Sequence, residues 1–502
     1  MQVLPQTRVQ GVPSGRNLSC SKAVGGTPLR ALTRDVVRPA RSVNVHVVAD
    51  GESADDVLLR SSSVAVAEKP KVSGRAFRRS LKDTGRYVAK PINDKDSLDL
   101  MEEHGVGYSS VGLVAQMRAN NNEWRFKDIR VKLASAYGYC WGVERAVQMA
   151  YEAKKKYPDR QIHLTNEIIH NPTVNERMTE MDINIIEQKE NGSKDFSKVS
   201  RQDVVILPAF GASVQELSLL KDLEVQIVDT TCPWVSKVWT AVDNQARKAH
   251  TSVIHGKYSH EETIATASFA ETYLIVRDIE EANYVCNYIL NGGNKEEFLT
   301  KFKNAISKGF DPDRDLARVG LANQTTMLRD ETMAIGKLLE KTMIQKHGPA
   351  AIKEHFMVMD TICDATQERQ DAVYQLVGQQ DNPAEKLDLI LVVGGFNSSN
   401  TSHLQEIPEL KNIPSFWVNE AACIDPVNKK ITHRTAHGTM LDTQNWLPDG
   451  PVTIGVTSGA STPDRAVEEV LEAVFKTRDA SFGGIAPNYD LGTAPVVRHE
   501  EH

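Results

Sequence analysis

Three cysteines in this 502-residue chain share one local context. Cys232 and Cys363 each end an Asp-Thr-x-Cys motif that follows an apolar run, and Cys140 ends a looser version of it. A helical pattern begins directly after each, so each thiol is expected between the carboxyl end of a strand and the amino end of a helix. Ligands of α/β proteins bind at that edge of the sheet, and a helix amino end favours the thiolate, the form that ligates metals. We therefore predict that the three thiolates converge on one metal cofactor.

The kind of metal is less constrained than its ligands. Cys20, Cys286 and Cys423 lack the shared context, and no CxxC pair occurs, so disulfide frameworks and zinc ribbons are unsupported. Three thiolates fit structural zinc poorly because that ion takes four ligands, and they fit a cubane iron–sulfur cluster with one open iron. Spacing alone leaves iron and zinc both open. The plainer alternative is that these cysteines are small buried apolar residues.

Hydroxyl and amide side chains form a second group of candidates. They lie in three loops at the ends of expected strands: Gln324-Thr-Thr326, Asn397-Ser-Ser-Asn400 and Ser458-Gly-Ala-Ser461. Short neutral donors beside helix amino ends suit a phosphate group, although a single Ser or Thr there is more often a helix cap. Three such loops together favour anion binding. Neither the P-loop nor the dinucleotide fingerprint occurs, so nucleotide-binding folds are not supported.

Histidine and glutamate supply candidates for proton transfer. His170 precedes Asn-Pro, and His260 lies in His255-Gly-Lys-Tyr-Ser-His-Glu-Glu262, after another expected strand. Position 264 is Ile, so this is not a zinc-protease helix. An isolated histidine at a strand end is often structural, but His260 with Glu262 could hold an anion and carry a proton. A cluster and an anion nearby would raise the pKa of Glu262, which suits an acid catalyst.

The elements that position these residues alternate along the chain. Apolar or β-branched runs predict buried strands, and helical patterns lie between them. This alternation predicts an α/β protein with mostly parallel sheets, with an insertion at 291–318. The predicted strands are 129–133, 204–207, 225–228, 252–254, 273–276, 356–359, 387–393 and 452–456.

The two ends of the chain differ from its body. Residues 1–49 hold seven basic residues and one acid, which is typical of an organelle transit peptide, although a disordered basic tail has the same composition. The remainder holds 52 basic and 65 acidic residues, a charge of −13 that argues against nucleic acid as a partner. No apolar run reaches the length of a membrane helix. We expect a linker and N-terminal extension at 50–125 with a helix near 97–104, a catalytic body at 126–478 and a tail at 479–502.

Five motifs carry a resemblance to a known family. The chain resembles 4-hydroxy-3-methylbut-2-enyl diphosphate reductases, and its N-terminal extension is similar to that of the plant and cyanobacterial branch. The resemblance implies three α/β lobes, at about 126–231, 232–362 and 363–478, in a pseudo-threefold arrangement around a 4Fe-4S cluster with one open iron. The motifs are Tyr137-Gly-Tyr-Cys-Trp-Gly-Val-Glu-Arg-Ala146, Asp229-Thr-Thr-Cys-Pro233, Asp360-Thr-Ile-Cys-Asp-Ala-Thr366, Asn397-Ser-Ser-Asn400 and Gly455-Val-Thr-Ser-Gly-Ala-Ser-Thr-Pro463.

The resemblance also assigns roles to residues. The cluster ligands would be Cys140, Cys232 and Cys363, and Glu262 would donate a proton with the Thr325 hydroxyl beside the reacting carbon. The substrate diphosphate or its pocket would be held by His170, His260, Thr326, Ser398, Ser399, Asn400 and Ser461. One departure is Phe210, where many bacterial members have a histidine, so one diphosphate contact is missing or replaced.

The implied reaction is the last step of the methylerythritol phosphate route to isoprenoids. Two electrons and two protons would remove the substrate hydroxyl as water and yield isopentenyl and dimethylallyl diphosphate. Ferredoxin would be the electron donor, the chain would work in the plastid stroma, and a homodimer is compatible with the resemblance. Two other readings stay open: a redox-neutral iron–sulfur dehydratase and a non-catalytic iron–sulfur electron carrier.

Overall fold

The fold is described from a computed structural model that covers residues 74–189, 193–359 and 361–484. The predicted targeting segment, the linker residues up to 73, Asp360 and the tail from residue 485 lie outside these described residues. The strands, in chain order, are β1 Tyr87–Val88, β2 Glu123–Phe126, β3 Ile129–Leu133, β4 Ile162–Leu164, β5 Ile183–Ile185, β6 Val204–Leu207, β7 Gln226–Asp229, β8 Thr251–His255, β9 Tyr273–Val276, β10 Val319–Asn323, β11 Phe356–Val358, β12 Leu389–Val393, β13 Ser415–Val418, β14 Ile424–Asp425, β15 Lys430–Arg434, β16 Met440–Gln444 and β17 Val452–Ser458.

Helices separate most of these strands. In chain order they are α1 Gly74–Lys82, α2 Lys95–Glu103, α3 Leu113–Ala119, α4 Trp141–Lys156, α5 Pro172–Glu180, α6 Val214–Asp222, α7 Pro233–Arg247, α8 Glu261–Ser268, α9 Ile279–Asn291, α10 Lys295–Lys301, α11 Pro312–Asp315, α12 Arg329–His347, α13 Ile352–His355, α14 Asp364–Val377, α15 Ser399–Leu410 and α16 Asp464–Arg478. Short 3-10 turns occur at Phe196–Lys198, Pro349–Ala351 and Ala421–Cys423.

The strands form three sheets. The first has the order β1-β7-β6-β4-β5 and the second β11-β10-β8-β9, and every pairing in both is parallel. The third has the order β14-β15-β13-β12-β17-β3-β2, with β16 beside β15. Its centre, β13-β12-β17-β3, is parallel, and the antiparallel pairs lie towards its two edges. The predicted α/β class with mostly parallel sheets is confirmed.

The central strands are buried because helices cover both faces of the sheets. Every residue of β10 and of β12 is buried. Neighbouring β10 residues face opposite ways: a Cβ added at Gly320 would lie 2.5 Å from the Gln245 side chain on α7, whereas Leu321 contacts Gly336 on α12. The second sheet is therefore enclosed between α7 and α12.

Each of the three motif cysteines marks a passage from one sheet to the next. The chain leaves the third sheet after β3, passes Cys140 and enters α4, which shares a core with β4 of the first sheet. It leaves the first sheet after β7, passes Cys232 and enters α7, which packs on the second sheet. After β11 it passes Cys363 and enters α14, which packs on the third sheet.

This path corrects one expected boundary. The sequence assigned 126–231 to the first lobe, but β3 pairs with β17 and so belongs to the third sheet. An apolar run shows that a strand is buried without showing which distant strand lies beside it. The N-terminal extension is also shared between lobes, since β1 lies at the edge of the first sheet and β2 at an edge of the third.

The insertion and the start of the tail are both packed against the body. The insertion at 291–318 contains α10 and α11 and buries Phe298, Phe302 and Phe310 in the core of the second lobe. In the tail, the Phe482 ring lies 5.0 Å from the Phe126 ring. Among the described helices, none has the length and apolarity needed to cross a membrane.

Candidate active site at the junction of the three lobes

The three motif cysteines occupy equivalent positions, each as the residue that caps the start of a helix. Cys140 precedes α4, Cys232 precedes α7 and Cys363 precedes α14. Two of these helix starts also contact each other: a Cβ added at Gly142 would lie 2.5 Å from the Cys232 Sγ and 4.0 Å from the Cys140 Sγ. Glycine at this position therefore leaves the second sulfur room beside the first.

The Asp-Thr-x-Cys repeat has a structural basis. In the first copy, the Thr230 hydroxyl donates a hydrogen bond to the Leu207 carbonyl oxygen at the end of β6, at 2.5 Å. In the second, the Thr361 hydroxyl donates to the Asn323 side-chain oxygen at the end of β10. Asp229 accepts from the Thr231 amide at 2.9 Å, which closes the turn before Cys232. Each threonine thus ties a cysteine loop to the neighbouring strand.

Burial favours the protonated thiol at two of the motif cysteines, Cys232 and Cys363. It is the largest cause that raises the pKa of Cys363 to about 12 and that of Cys232 still further, and neighbouring motif cysteines add to both shifts. The first-turn amides of α7 and α14 lower the same pKa values, which is the direction expected of helix amino ends. Burial outweighs them in the metal-free protein, so a metal that binds here would displace the thiol protons.

The number of the motif cysteines fits an iron–sulfur cluster better than structural zinc. Structural zinc takes four ligands, whereas a 4Fe-4S cluster with one open iron takes three thiolates. The three motif cysteines, each at a helix start, can supply those three sulfurs. Among the described residues, a separate group of three possible ligands is His170, His260 and Glu261, whose ligand atoms lie within 4.8 Å of one another.

Two buried arginines that we did not single out in the sequence hold the cysteine loops. Arg369 on α14 donates to the Gly138 and Tyr139 carbonyl oxygens at 2.6 and 2.5 Å, directly before Cys140. Arg145 on α4 donates to the Thr230 and Thr231 carbonyl oxygens at 3.1 and 3.2 Å, directly before Cys232. Each arginine follows one motif cysteine by five or six residues, and that recurrence was the available clue.

Glu262 and Thr325 lie together as a hydrogen-bonded pair. The Thr325 amide donates to Glu262 Oε1 at 2.6 Å, and its hydroxyl donates to Oε2 at 3.0 Å. Burial raises the pKa of Glu262 to about 7, against the opposing effect of these two hydrogen bonds. The expected direction of the pKa shift is thus confirmed, and the carboxyl can hold or release a proton near neutral pH.

His170, His260 and Phe210 form an aromatic cluster beside this pair. His170 stacks on Phe210, with ring centroids 4.6 Å apart, and meets the His260 ring edge-on at 5.3 Å. Phe210 therefore orients an imidazole instead of donating a hydrogen bond.

His260 suits an anion better than a metal ion. The Glu262 amide donates to its Nδ1 at 3.1 Å, so the neutral ring carries its proton on Nε2. That proton makes Nε2 a donor and removes the lone pair that a metal would need. Burial, with His170 next among the causes, holds the pKa of His260 well below its usual value. The His170, His260 and Glu261 group is therefore interpreted as part of an anion site.

Several buried polar atoms at this junction have no hydrogen-bond partner among the described residues. They are Ser399 Oγ, Asn400 Nδ2 and His170 Nε2. The third and first lobes meet here: Ser461 donates to the His170 carbonyl oxygen at 3.1 Å, and a Cβ added at Gly395 would lie 2.4 Å from that oxygen. Buried polar atoms without partners are costly, so their concentration indicates a polar ligand.

The remaining candidates have protein partners. Ser398 caps α15 through its Oγ, which accepts from the Thr401 amide at 3.2 Å, and Thr326 Oγ1 accepts from Gln324 Nε2 at 2.7 Å. We did not single out Glu167 in the sequence. Its carboxylate Oε2 bonds both His170 Nδ1, at 3.2 Å, and the side-chain Nδ2 of Asn397, at 2.5 Å. His403, one turn after Ser399 on α15, was also missed and has a buried Nε2 without a partner among the described residues.

Comparison with known proteins agrees with this geometry. The family model described as "LytB protein" matches residues 131–475. A curated protein of Crocosphaera subtropica, named 4-hydroxy-3-methylbut-2-enyl diphosphate reductase, is 55% identical over 406 residues, which cover 81% of this chain and 98% of the relative. One of Thermosynechococcus vestitus with the same name is 55% identical over 407 residues, with the same shares covered.

A solved structure supports the fold. The E-1-hydroxy-2-methyl-but-2-enyl-4-diphosphate reductase from Plasmodium falciparum aligns with a TM-score of 0.51 at 23% identity, over 68% of this chain and 86% of that one. At this identity the likeness concerns the fold alone. Together with the family match and the cyanobacterial relatives, it leads to one conclusion: the chain belongs to the LytB family of 4-hydroxy-3-methylbut-2-enyl diphosphate reductases.

Proposed function

We propose that this chain reduces 4-hydroxy-3-methylbut-2-enyl diphosphate to isopentenyl and dimethylallyl diphosphate, the last step of the methylerythritol phosphate pathway. The observation that carries the proposal is the meeting of three unlike groups at one junction. These are three cysteines at helix starts, a carboxyl with a pKa of about 7, and buried donors without partners. The curated relatives bear the name of this activity.

The cysteines would hold one 4Fe-4S cluster through Cys140, Cys232 and Cys363, with one iron open to the substrate. When bound, the cluster supplies electrons and a Lewis-acidic iron beside the hydroxyl that leaves. Arg145 and Arg369 keep the loops before Cys232 and Cys140 in place, so the sulfurs are positioned before the cluster arrives.

The diphosphate would lie against the donors that lack partners. Asn400 Oδ1 accepts from the Ala460 amide at 2.9 Å, whereas its Nδ2 and the Ser399 Oγ are buried and have no hydrogen-bond partner among the described residues. His260 Nε2–H is a third donor, held by the hydrogen bond at its Nδ1. In this proposal Ser398, Thr326 and Ser461 shape the loops around the phosphates, and Phe210 holds His170 by stacking.

Protons would reach the substrate through Glu262. Its pKa of about 7 leaves it substantially protonated at neutral pH, whereas an ordinary glutamate would be ionised. The 3.0 Å hydrogen bond to Thr325 Oγ lets the carboxyl pass a proton to that hydroxyl, which passes its own proton onward. Two electrons and two protons break the C–O bond, form one C–H bond and release water.

The proposal extends to the setting of the reaction. A plant-type ferredoxin would supply the electrons, and the basic residues at 1–49 support import into the plastid stroma, where that donor occurs. The cyanobacterial relatives are consistent with this location.

Anaerobic turnover tests the proposal. The purified chain, reconstituted with iron and sulfide, is given the allylic diphosphate and reduced methyl viologen, and the products are identified by mass spectrometry. We expect both five-carbon diphosphates, and none when the reductant is omitted. Turnover without reductant would indicate a redox-neutral dehydratase, and reduction of the chain with no product would indicate an electron carrier. A colourless, iron-free anaerobic preparation would contradict the cluster.

A further inference from the structure

A basic cleft lies beside the helix that begins at Cys232. It has a volume of about 670 Å³ and runs between α1 of the N-terminal extension and α7. Four cationic side chains line it: Arg78, Arg79, Lys82 and Lys237. The one carboxylate in the lining, Asp243, accepts from the Gly74 amide at 2.9 Å and pairs with Arg247 at 3.4 Å. The cleft is therefore strongly positive.

Three charges of this cleft are exposed and have no ion-pair partner among the described residues. They are Arg79, Lys82 and Lys237, and the Lys237 Nζ also lies 4.3 Å from the centre of the Trp234 ring. Arg78 instead builds the cleft, since its guanidinium lies 5.2 Å from the Trp239 ring and donates to Ser236 Oγ at 3.2 Å. Without its targeting segment the chain has a charge of −13, so this positive surface stands out against an acidic body.

The cleft is also close to the cofactor ligands. Pro233, the residue after Cys232, is exposed and lines the cleft, as do Ser236 and Lys237 in the next turn. With a helical rise of 1.5 Å per residue, those positions are about 6–8 Å along α7 from the cysteine. Trp141, the residue after Cys140, is 45% exposed, and its neighbour Gly142 contacts the Cys232 sulfur. The lining of the cleft therefore starts at the residue directly after Cys232.

We propose that the Arg79, Lys82 and Lys237 face of this cleft is the docking surface for a small acidic one-electron carrier protein. This inference rests on the proposed function, because the reaction consumes two electrons that an external donor must deliver one at a time. Each encounter oxidises the donor by one electron and reduces the cluster by one. Two encounters and two protons convert the C–O bond to a C–H bond and water. An acidic protein is repelled by the rest of the body and drawn to this face.

The test compares two double charge reversals of equal size. The first, Arg79→Glu with Lys237→Glu, alters the cleft. The second, Lys337→Glu with Lys341→Glu, alters exposed lysines on α12, which lies across the second sheet from α7. Iron content and melting temperature are measured for both, to confirm that each variant is folded and loaded.

The first readout is binding without turnover. Oxidised two-iron plant ferredoxin is titrated into the holoenzyme at 50 mM and 500 mM NaCl, and its Kd is measured by calorimetry. We expect the cleft variant to bind at least about tenfold more weakly at low salt and to lose most of the salt dependence, while the α12 variant behaves like the parent chain. An equal loss in both variants, or none in the cleft variant, would overturn the docking surface.

The second readout separates this inference from the proposed function. Turnover is measured with reduced ferredoxin and with reduced methyl viologen, a small cation that needs no docking surface. We expect the cleft variant to lose about tenfold in rate with ferredoxin and less than twofold with the viologen. Normal turnover with both donors would overturn the docking surface and leave the function intact. Absence of turnover in the parent chain with either donor would overturn the function itself.

Discussion

Two buried carboxyls, Glu262 at the lobe junction and Glu468 on α16, have the same pKa and different neighbours. Burial raises the pKa of each from 4.5 to about 7. Glu262 contacts the amide and the hydroxyl of Thr325. Glu468 accepts from the Val114 amide at 3.0 Å, and the charge of nearby Asp464 contributes to its shift.

The difference between their neighbours separates the proposed proton donor, Glu262, from an acid to which we assign only a structural role. The Val114 amide donates a hydrogen bond to Glu468, but an amide N–H does not pass a proton from this carboxyl to a ligand. The hydroxyl of Thr325 can accept a proton from Glu262 and release its own. A shifted pKa thus reports burial, and the role of the group depends on which atoms it can exchange a proton with.

The largest expected effect separates the two carboxyls directly. Because Glu262→Gln keeps an oxygen that can accept from the Thr325 amide but removes the acidic proton, turnover should fall about 100- to 10,000-fold. The matched Glu468→Gln variant should stay within about twofold of the parent chain. Both are measured as anaerobic turnover per cluster with reduced methyl viologen. A Glu262→Gln enzyme that retains a tenth of its rate would contradict the acid role.

The pH dependence of turnover should reflect the ionisation of Glu262 and not that of Glu468. Because the acid must be protonated to act, the rate should be constant below about pH 7 and fall towards tenfold per unit above it. The Glu468→Gln variant should show the same pH limb, which is the fall in rate above about pH 7. The residual rate of Glu262→Gln should show no such limb. Steady-state rates from pH 5.5 to 9 give the comparison. A limb that disappears in the Glu468 variant would reverse the assignment.

The hydroxyl of Thr325 offers a smaller and more specific effect. Its hydrogen bond lowers the pKa of Glu262, so Thr325→Val should move the pH limb to higher pH and slow turnover about tenfold by removing the relay. The matched variant is Thr326→Val, because the Thr326 hydroxyl contacts Gln324 and not Glu262. That variant can bind substrate more weakly but should keep the limb where it was. A shift in both variants would argue against the relay.

Much of this architecture could be predicted from local patterns. The strands β3, β6 and β9 begin and end where the apolar runs do, and each motif cysteine lies at a helix start as expected. The Asp-Thr-x-Cys repeat indicated equivalent loops because each threonine hydroxyl donates a hydrogen bond to the end of the neighbouring strand, within a few residues of its cysteine. The assigned roles of the individual site residues stay predictions.

The features that could not be predicted depend on contacts between distant parts of the chain. The strands β4 and β5 have three residues each, and β10 contains Gly320 and Asn323, so none forms an apolar run. The Arg369 contacts span 231 residues, and the Phe210 stack on His170 joins two loops. Glu468 looks like any charged residue of an amphipathic helix until α3 is seen to cover it. These pairings are set by packing of whole lobes, which no local pattern encodes.

The smallest expected effect concerns the contribution of Glu468 to the stability of the folded chain. Since the folded-state pKa of Glu468 is raised, the folded chain binds more protons than the unfolded chain between about pH 4.5 and 7. The stability that the protonated group contributes is therefore fully present below pH 4.5 and lost as the pH rises through 7. The shift of about 2.5 pKa units would correspond to about 3 kcal/mol. We expect about 1–2 kcal/mol, because the ionised carboxylate beside α3 can turn partly towards water.

Glu468→Gln tests this expected difference in stability, because its amide oxygen can still accept from the Val114 amide while the ionisable group is gone. The variant should match the parent chain in urea unfolding at pH 5 and exceed it by about 1–2 kcal/mol at pH 8. The matched Glu469→Gln variant, on the same helix, removes an exposed carboxylate that pairs with Arg465 and does not contribute to the shift at Glu468, so it should leave the difference between the two pH values unchanged. Equal stability of the Glu468 variant and the parent at both pH values would mean that Glu468 ionises without cost. The two carboxyls would then differ in burial as well as in their neighbours, and the comparison between them would fail.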